Sequence, residues 1–251
     1  MSLLLLAHRG ANRLAPENTL AAFRLALEAG CDGCECDVQL SRDGVLTVFH
    51  DETLRRLAGL SHAVPELTSA QLAALRVSGA GAPAADDAHI PTLAAVWQLH
   101  RERRKRLFVE LKYFREAHTP RERLLEAVLA FVETHDITDR FCAISFDELL
   151  LQWLKERRPQ LATGYIVSDP SRFAQHQAEC ARWADCLLPR VDCVSTPLAT
   201  WAAQARRPLY PWVADDATTM ARMAGFGVAG LLTNEPARLI AWATGQGHAQ
   251  H

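Results

Sequence analysis

From end to end this sequence alternates short apolar runs with amphipathic segments, and few architectures accept that rhythm. Runs of strand length fall at 3–7, 33–37, 107–111, 141–144, 162–166, 185–188, 208–213 and 228–232. Segments with helical apolar spacing lie between most of them, at about 17–29, 92–104, 120–134, 147–157, 171–182, 197–205, 216–224 and 235–243. Strand–helix alternation repeated about eight times predicts an α/β fold, a parallel sheet with helices outside it. At 251 residues, closure into one TIM-type (β/α)8 barrel domain spanning 1–251 is the economical form. An open doubly wound sheet is the alternative, but no Gly-x-Gly-x-x-Gly turn follows the first run. Asn18, just after Pro16, stands where a side chain caps the first helix. Asp147 and Glu148 open another with favourable negative charge.

Two places break the alternation. After the second strand, Val38-Gln39-Leu40 leads through Ser41-Arg42-Asp43-Gly44 into Val45 to His50, and Asp-Gly between apolar runs signals a hairpin. A two-residue turn at Asp43-Gly44 places Asp37 directly opposite His50; a bulged turn shifts this by about one residue. The second break is the stretch 52–90, rich in Ala, Gly, Pro, Ser and Asp, with one weak helix around Ser69 to Leu75. Excursions of that length in a compact domain are functional or form a small subdomain, here a small insertion within the barrel.

Charge and composition exclude several classes of function. Lys and Arg number 27 against 29 Asp and Glu, a formal net charge of −2, so the chain lacks the basic character of a nucleic-acid-binding domain. The one dense basic run, Arg101 to Arg106, ends a helical segment and reads as a solvated face. The Leu3-Leu4-Leu5-Leu6 run has no preceding positive charge and is too short for a signal sequence. No segment has the roughly 20 uninterrupted apolar residues of a membrane span. The expectation is a cytoplasmic protein without stable membrane insertion. Seven cysteines, an odd number, argue against a disulfide framework. Cys31, Cys34 and Cys36 lack a second matching pair for a metal site, and the last two interleave with Glu35 and Asp37. If those carboxylates face inward on a strand, the thiols face the helices as small core residues. Trp153 and Trp201, on helix faces, are either core or contacts in a homodimer.

In a barrel, the carboxyl ends of the strands share one mouth, where catalysis collects. Strand ends supply His8 and Arg9, then Glu35 and Asp37, then Glu110 and Lys112; the hairpin adds His50 and Asp51. Each alone has a bland explanation, as a structural histidine, an edge-strand carboxylate pair or a helix cap. Together they compose coherent chemistry. Three carboxylates offer hard oxygen ligands suited to Mg²⁺ or Ca²⁺. Arg9 and Lys112 suit a phosphodiester's oxygens. His8 and His50, from different elements, can flank phosphorus as general base and general acid.

These residues, in this order, resemble the glycerophosphodiester phosphodiesterase family. The matching stretches are Ala7-His8-Arg9-Gly10, Ala15-Pro16-Glu17-Asn18-Thr19, Glu35-Cys36-Asp37-Val38, Asp43-Gly44, His50-Asp51, Ile90-Pro91-Thr92-Leu93, Glu110-Leu111-Lys112, Ser145-Phe146 and Pro211-Trp212-Val213. The resemblance implies a phospholipase-C-like barrel with its family insertion at 52–90. It implies catalytic histidines at His8 and His50, one divalent cation, Mg²⁺ or Ca²⁺, on Glu35, Asp37 and Glu110, and phosphate contacts from Arg9 and Lys112. The small-molecule substrate it implies is a glycerophosphodiester, with glycerol 3-phosphate and an alcohol as products. Attack by a neighbouring substrate hydroxyl or by water both stay open. Glu17 either supports the site from behind or starts a helix, and Phe146 and Trp212 form an apolar wall or pack into the core. Two positions depart from the family: Ala214-Asp215-Asp216 where Asn is common after Trp-Val, and Thr233-Asn234 in place of Thr-Asp. They put alcohol or glycerol recognition in doubt. A lysolipid substrate with its acyl chain against 52–90, and a non-catalytic anion-binding barrel, are the rival expectations.

Overall fold

The computed structural model describes residues 3–79, 88–114, 120–135, 137 and 139–247. The leucine run becomes strand β1 (Leu4–His8), with Leu5, Leu6 and Ala7 buried. Next come α1 (Leu20–Glu28) and the hairpin strands β2 (Gly33–Leu40) and β3 (Leu46–Val48). Two short helices, α2 (Arg55–Ala58) and α3 (Ser69–Ala74), follow. The rhythm then resumes with α4 (Leu93–Glu102), β4 (Arg106–Leu111), α5 (Arg121–Thr134), β5 (Phe141–Ser145), α6 (Glu148–Arg157) and β6 (Ala162–Val167). It ends with α7 (Pro170–Trp183), β7 (Cys186–Pro189), α8 (Thr196–Ala205), α9 (Ala217–Gly225), β8 (Gly230–Thr233) and α10 (Pro236–Gly245). Among the described residues no helix is long and apolar enough to cross a membrane.

The parallel strands lie in the order β7-β6-β5-β4-β2-β1-β8, with β3 antiparallel on β2. Residues 208–214 close the circle. On the β7 side Tyr210 N donates to Leu187 O (2.9 Å) and Trp212 N to Pro189 O (3.0 Å). On the β8 side Leu232 N donates to Pro211 O (3.0 Å) and Ala214 N to Leu232 O (2.8 Å). The run expected at 208–213 is therefore the eighth stave of the expected (β/α)8 barrel.

Apolar side chains fill the barrel interior. Leu6, Phe108, Cys142, Ile166, Cys186 and Leu232 form one buried cluster there. Gly164 permits the tight fit, since a Cβ would lie 2.7 Å from Cys186 Sγ. This plug leaves polar side chains only the carboxyl ends of the strands, which is where they gather. Behind β2, Cys34 and Cys36 pack with Phe23 of α1, Trp97 of α4 and Leu125 of α5, so the thiols do face the helices. Among the described residues, neither side-chain group able to hold a metal contains a cysteine. The stretch after the hairpin has its own small core, where Leu54, Leu57, Val64 and Leu72 pack on Phe49 and Ile90.

Two local expectations need correcting. Ser41 N donates to Val45 O (3.0 Å) and Gly44 takes φ +81°, so the turn is a three-residue loop rather than two. Asp43 is drawn out of the turn, accepting from Ser41 Oγ (2.7 Å) and from Ser69 N at the start of α3 (2.8 Å). The register moves by one: Val38 faces Val48 and Phe49 N donates to Asp37 O, with His50 one residue beyond. The cap of α1 is Thr19, whose Oγ1 accepts from Ala22 N (3.2 Å), not Asn18. Asn18 sits at φ +60° and sends its side chain to Asp37 instead.

Candidate active site

Strand register brings the charged residues side by side. In the parallel β1–β2 ladder His8 is paired with Glu35, and in the β2–β4 ladder Asp37 is paired with Glu110. Asp37 is fully buried, Glu35 and Glu110 nearly so. Carboxylate oxygens of Glu35, Asp37 and Glu110 lie within 4.8 Å of one another, a group able to hold a metal ion. Lys112, just past β4, places Nζ 2.7 Å from Glu110 Oε1 and 3.1 Å from Asp37 Oδ1. Arg9, in the left-handed region at φ +57°, turns back over the hairpin strand. Its Nε lies 3.1 Å from Asp37 Oδ2, and one terminal nitrogen is 3.0 Å from Glu17 Oε1. Asn18 Nδ2 donates to Asp37 Oδ2 (2.8 Å).

The three carboxylates do not ionise alike. Burial pushes Asp37 up, but Lys112, Arg9 and His50, with the Asn18 hydrogen bond, outweigh it and hold its carboxyl well below the usual range. Burial, then the neighbouring Asp37 and Glu110, push Glu35 well above its ordinary value. Burial likewise raises Glu110 to about 7 against the pull of Lys112. Buried like charges without enough counter-charge hold protons instead. Glu35 Oε1, moreover, has no hydrogen-bond partner. An orphaned carboxylate oxygen in an all-oxygen trio short of positive charge fits a hard divalent cation.

The two imidazoles are held differently. His8 Nδ1 lies 2.8 Å from Asn234 Oδ1. Asn234 Nδ2 donates to Asp215 Oδ2 (2.8 Å), and a carboxylate can only accept, so the amide orientation is fixed. The Asn234 oxygen must then accept from His8 Nδ1–H, leaving Nε2 as the free base. Burial, reinforced by Arg9, lowers His8 to about 4, so the ring is neutral near pH 7. His50 Nδ1 donates to Asp51 Oδ1 (2.7 Å). Burial, with Lys112 and Arg9, holds His50 below its ordinary value, while Asp37 and Asp51 act in the opposite sense.

A small cavity of about 70 Å³ collects these groups. His8, Arg9, Glu35, His50, Glu110 and Lys112 line one arc of it, and Ile144, Phe146, Ile166, Leu188, Trp212 and Leu232 line the other. Phe146 and Trp212 meet edge to face with centroids 6.0 Å apart. An adjoining groove of about 620 Å³ shares Glu110, Lys112 and Phe146 and extends past Tyr113 and Arg121. Two imidazoles, two cations and a carboxylate trio around one cavity form a set able to bind an anion and move protons on either side of it.

The sequence matches the glycerophosphoryl diester phosphodiesterase family over residues 8–238. The chain belongs to that family. Among its relatives is a glycerophosphodiester phosphodiesterase of Caldanaerobacter subterraneus subsp. tengcongensis, 30% identical over 240 residues, 96% of this chain and 97% of the relative. A glycerophosphodiester phosphodiesterase structure from Agrobacterium tumefaciens superposes with TM-score 0.75 at 28% identity, over 96% of this chain and 100% of that one. An Oleispira antarctica phosphodiesterase, solved in complex with its product sn-glycerol-3-phosphate, shares the fold at TM-score 0.86 and 24% identity, over 97% of each chain.

Whereas Asp43 stays at the hairpin turn and Ile90 in the small core after it, the structure brings His8, Arg9, Glu35, Asp37, His50, Glu110, Lys112, Phe146 and Trp212 together at this mouth. Sequence reasoning missed the polar groups behind them. Asn12, Arg56, Asp215 and Asn234 were unassigned or treated only as departures. Thr233 Oγ1 and Asn234 N both donate to Asp215 Oδ1 (2.9 and 2.7 Å), so the two departing positions hold one another and through Asn234 hold His8. The only signal was that both departures, at Ala214-Asp215-Asp216 and at Thr233-Asn234, fall at strand ends on the late side of the barrel.

Proposed function

We propose that this enzyme hydrolyses glycerophosphodiesters to glycerol 3-phosphate and an alcohol. The observation that carries the reading is the convergence of His8 and His50, with Arg9 and Lys112, on one cavity beside the carboxylate trio. The diester phosphate binds against Arg9 and Lys112, Arg9 offering a fork and Lys112 a point charge. His8 Nε2, held as the unprotonated nitrogen, takes the proton of the attacking hydroxyl, from water or from the glycerol itself. His50, backed by the Asp51 carboxylate where His8 has only an amide, is the better home for a cation. It gives its proton to the departing alcohol oxygen as the phosphorus–oxygen bond breaks. If the substrate's own hydroxyl attacks, a cyclic phosphate forms and water opens it with the two imidazoles exchanging roles. Glu35, Asp37 and Glu110 would hold the divalent cation, Mg²⁺ or Ca²⁺, which when bound supplies charge neutralisation for the phosphate oxygens. Asn18 keeps the Asp37 carboxylate aimed at Glu35 and Glu110.

A lysolipid substrate is disfavoured by packing. The apolar residues after the hairpin that an acyl chain would need are already spent on their own core, with Leu54 and Val64 at 0% exposure and Leu57 at 4%. The test is release of glycerol 3-phosphate from several headgroup diesters, with and without added Mg²⁺ or Ca²⁺. Turnover of glycerophosphocholine, abolished by chelation and restored by metal, supports the reading. Preference for lysophosphatidylcholine, or indifference to chelation, would overturn the substrate or the cation.

A further inference from the structure

The mouth contains a second acidic cluster with the composition of a metal site, and the protein has filled it with its own cation. Atoms of Glu17, His50 and Asp51 lie within 4.8 Å of one another. Arg56, on α2, projects its guanidinium between the two carboxylates. Nε and one terminal nitrogen donate to Asp51 Oδ2 (2.7 Å) and Oδ1 (2.9 Å). The two terminal nitrogens donate to Glu17 Oε2 (2.9 Å) and Oε1 (2.7 Å). Both acids are therefore gripped by two bonds each, the fork geometry that guanidinium offers and ammonium does not.

What the two acids hold gives the clamp its meaning. Asp51 Oδ1 also accepts from His50 Nδ1, and Glu17 Oε1 also accepts from Arg9. One guanidinium thus stands a single carboxylate away from the imidazole on one side and the phosphate-facing arginine on the other. Without it, Glu17 and Asp51 would repel, and Asp51 would be free to rotate off the imidazole. Arg56 is itself fixed by its neighbours, since Leu54 and Leu57 are buried in the small core after the hairpin.

We propose that Arg56 is a positioning residue, a strut that sets the orientation of His50 through Asp51 and of Arg9 through Glu17. This assigns the stretch after the hairpin a part in the reaction, that of presenting the strut. The inference rests on the roles proposed above for His50 and Arg9. One readout is therefore chosen to be independent of turnover.

The experiment compares wild type with Arg56→Ala and Arg56→Lys. Turnover of glycerophosphocholine is measured with and without added guanidinium chloride at sub-denaturing concentration, and the His50 Nδ1–H resonance is followed by NMR. Loss of the strut is expected to lower kcat/KM about 100-fold in Arg56→Ala, the scale of a lost charge-assisted orienting contact. Free guanidinium should restore about ten-fold of it, and Arg56→Lys should recover little. The protected His50 resonance should vanish in Arg56→Ala and return with guanidinium. Activity within about three-fold of wild type, or a resonance that persists in Arg56→Ala, would overturn the proposal. So would a loss that guanidinium leaves untouched in a variant that melts like wild type. Should Arg56→Ala fail to fold, wild-type turnover in Arg56→Lys would overturn it as well. A wild-type protein that cleaves no glycerophosphodiester refutes the reaction instead, and the imidazole resonance still decides the strut.

Discussion

The mouth has two unlike halves. From β1 through the hairpin to β4 it is an arc of charge, in which each ionisable side chain touches another; from β5 round to β8 it is an arc of Ile144, Phe146, Ile166, Leu188, Trp212 and Leu232. In the proposed reaction the charged arc would serve what every phosphodiester shares, an anionic centre that must gain and lose protons, and the apolar arc what differs between diesters. On that proposal chemistry and selectivity would sit on separate strands of one barrel. The exception is Asn234, which reaches across from β8 to hold His8.

The comparison can be broken most decisively on the charged side. His8→Ala or His50→Ala should each lower kcat by about 10³-fold, within the usual range for a general acid or base, with the melting temperature unchanged. A variant within ten-fold of wild type would remove that imidazole from the reaction. The next largest effect lies behind the same arc, where His100 of α4 is fully buried beside Phe23. Its Nδ1 donates to Val96 O and burial lowers it to about 4. The native state refuses a proton that the unfolded chain accepts. The His100 contribution to stability is thus intact above pH 6.5 and falls as the pH drops toward 4, below which both states are protonated and the loss levels off. The full drop is worth on the order of 3 kcal/mol. Denaturant titrations at stepped pH should show it, and His100→Gln should flatten the curve. An equally steep curve in that variant would place the acid sensitivity elsewhere.

Smaller effects sharpen the contrast. Asn234→Ala removes one neutral hydrogen bond to His8 and should cost about ten-fold in kcat with KM unmoved; a change confined to KM would make Asn234 a substrate contact instead. Phe146→Ala, on the apolar arc, should alter KM by a few-fold and by different amounts for different headgroups, leaving kcat alone. Uniform losses in kcat across headgroups would mean the two halves are not separate.

How much of this could be read from the sequence follows the same division. The charged arc was legible because strand-end motifs are local: Glu35 and Asp37 share a strand, Glu110 and Lys112 another, and β-alternation alone decides that Cys34 and Cys36 face away. The barrel was legible from the strand rhythm, including the run expected at 208–213, whose hydrogen bonds to both neighbours close the circle. Less legible were features set by long-range partners. The hairpin slipped by one residue because Asp43 answers to Ser69. Asn18 left its expected capping position because Thr19 could cap α1 while Asp37 needed a donor. Asp215 and Asn234 put substrate recognition in doubt, since no local pattern reveals that an acid and an amide on different elements bond to each other.

The seven cysteines, all free and all buried, have a practical consequence. Burial pushes Cys31 and Cys180 up to about 12 and Cys34 and Cys36 well above the ordinary thiol, and a hydrogen bond with the Cys186 thiol, together with burial, does the same for Cys142. Only a thiolate reacts readily, so an alkylating reagent near neutral pH must wait for the backbone around each sulfur to open. Cys31, Cys34 and Cys36 lie behind the charged half, Cys142, Cys180 and Cys186 in the other. Labelling times would then serve as a pair of internal clocks, reporting how often each half of the barrel breathes.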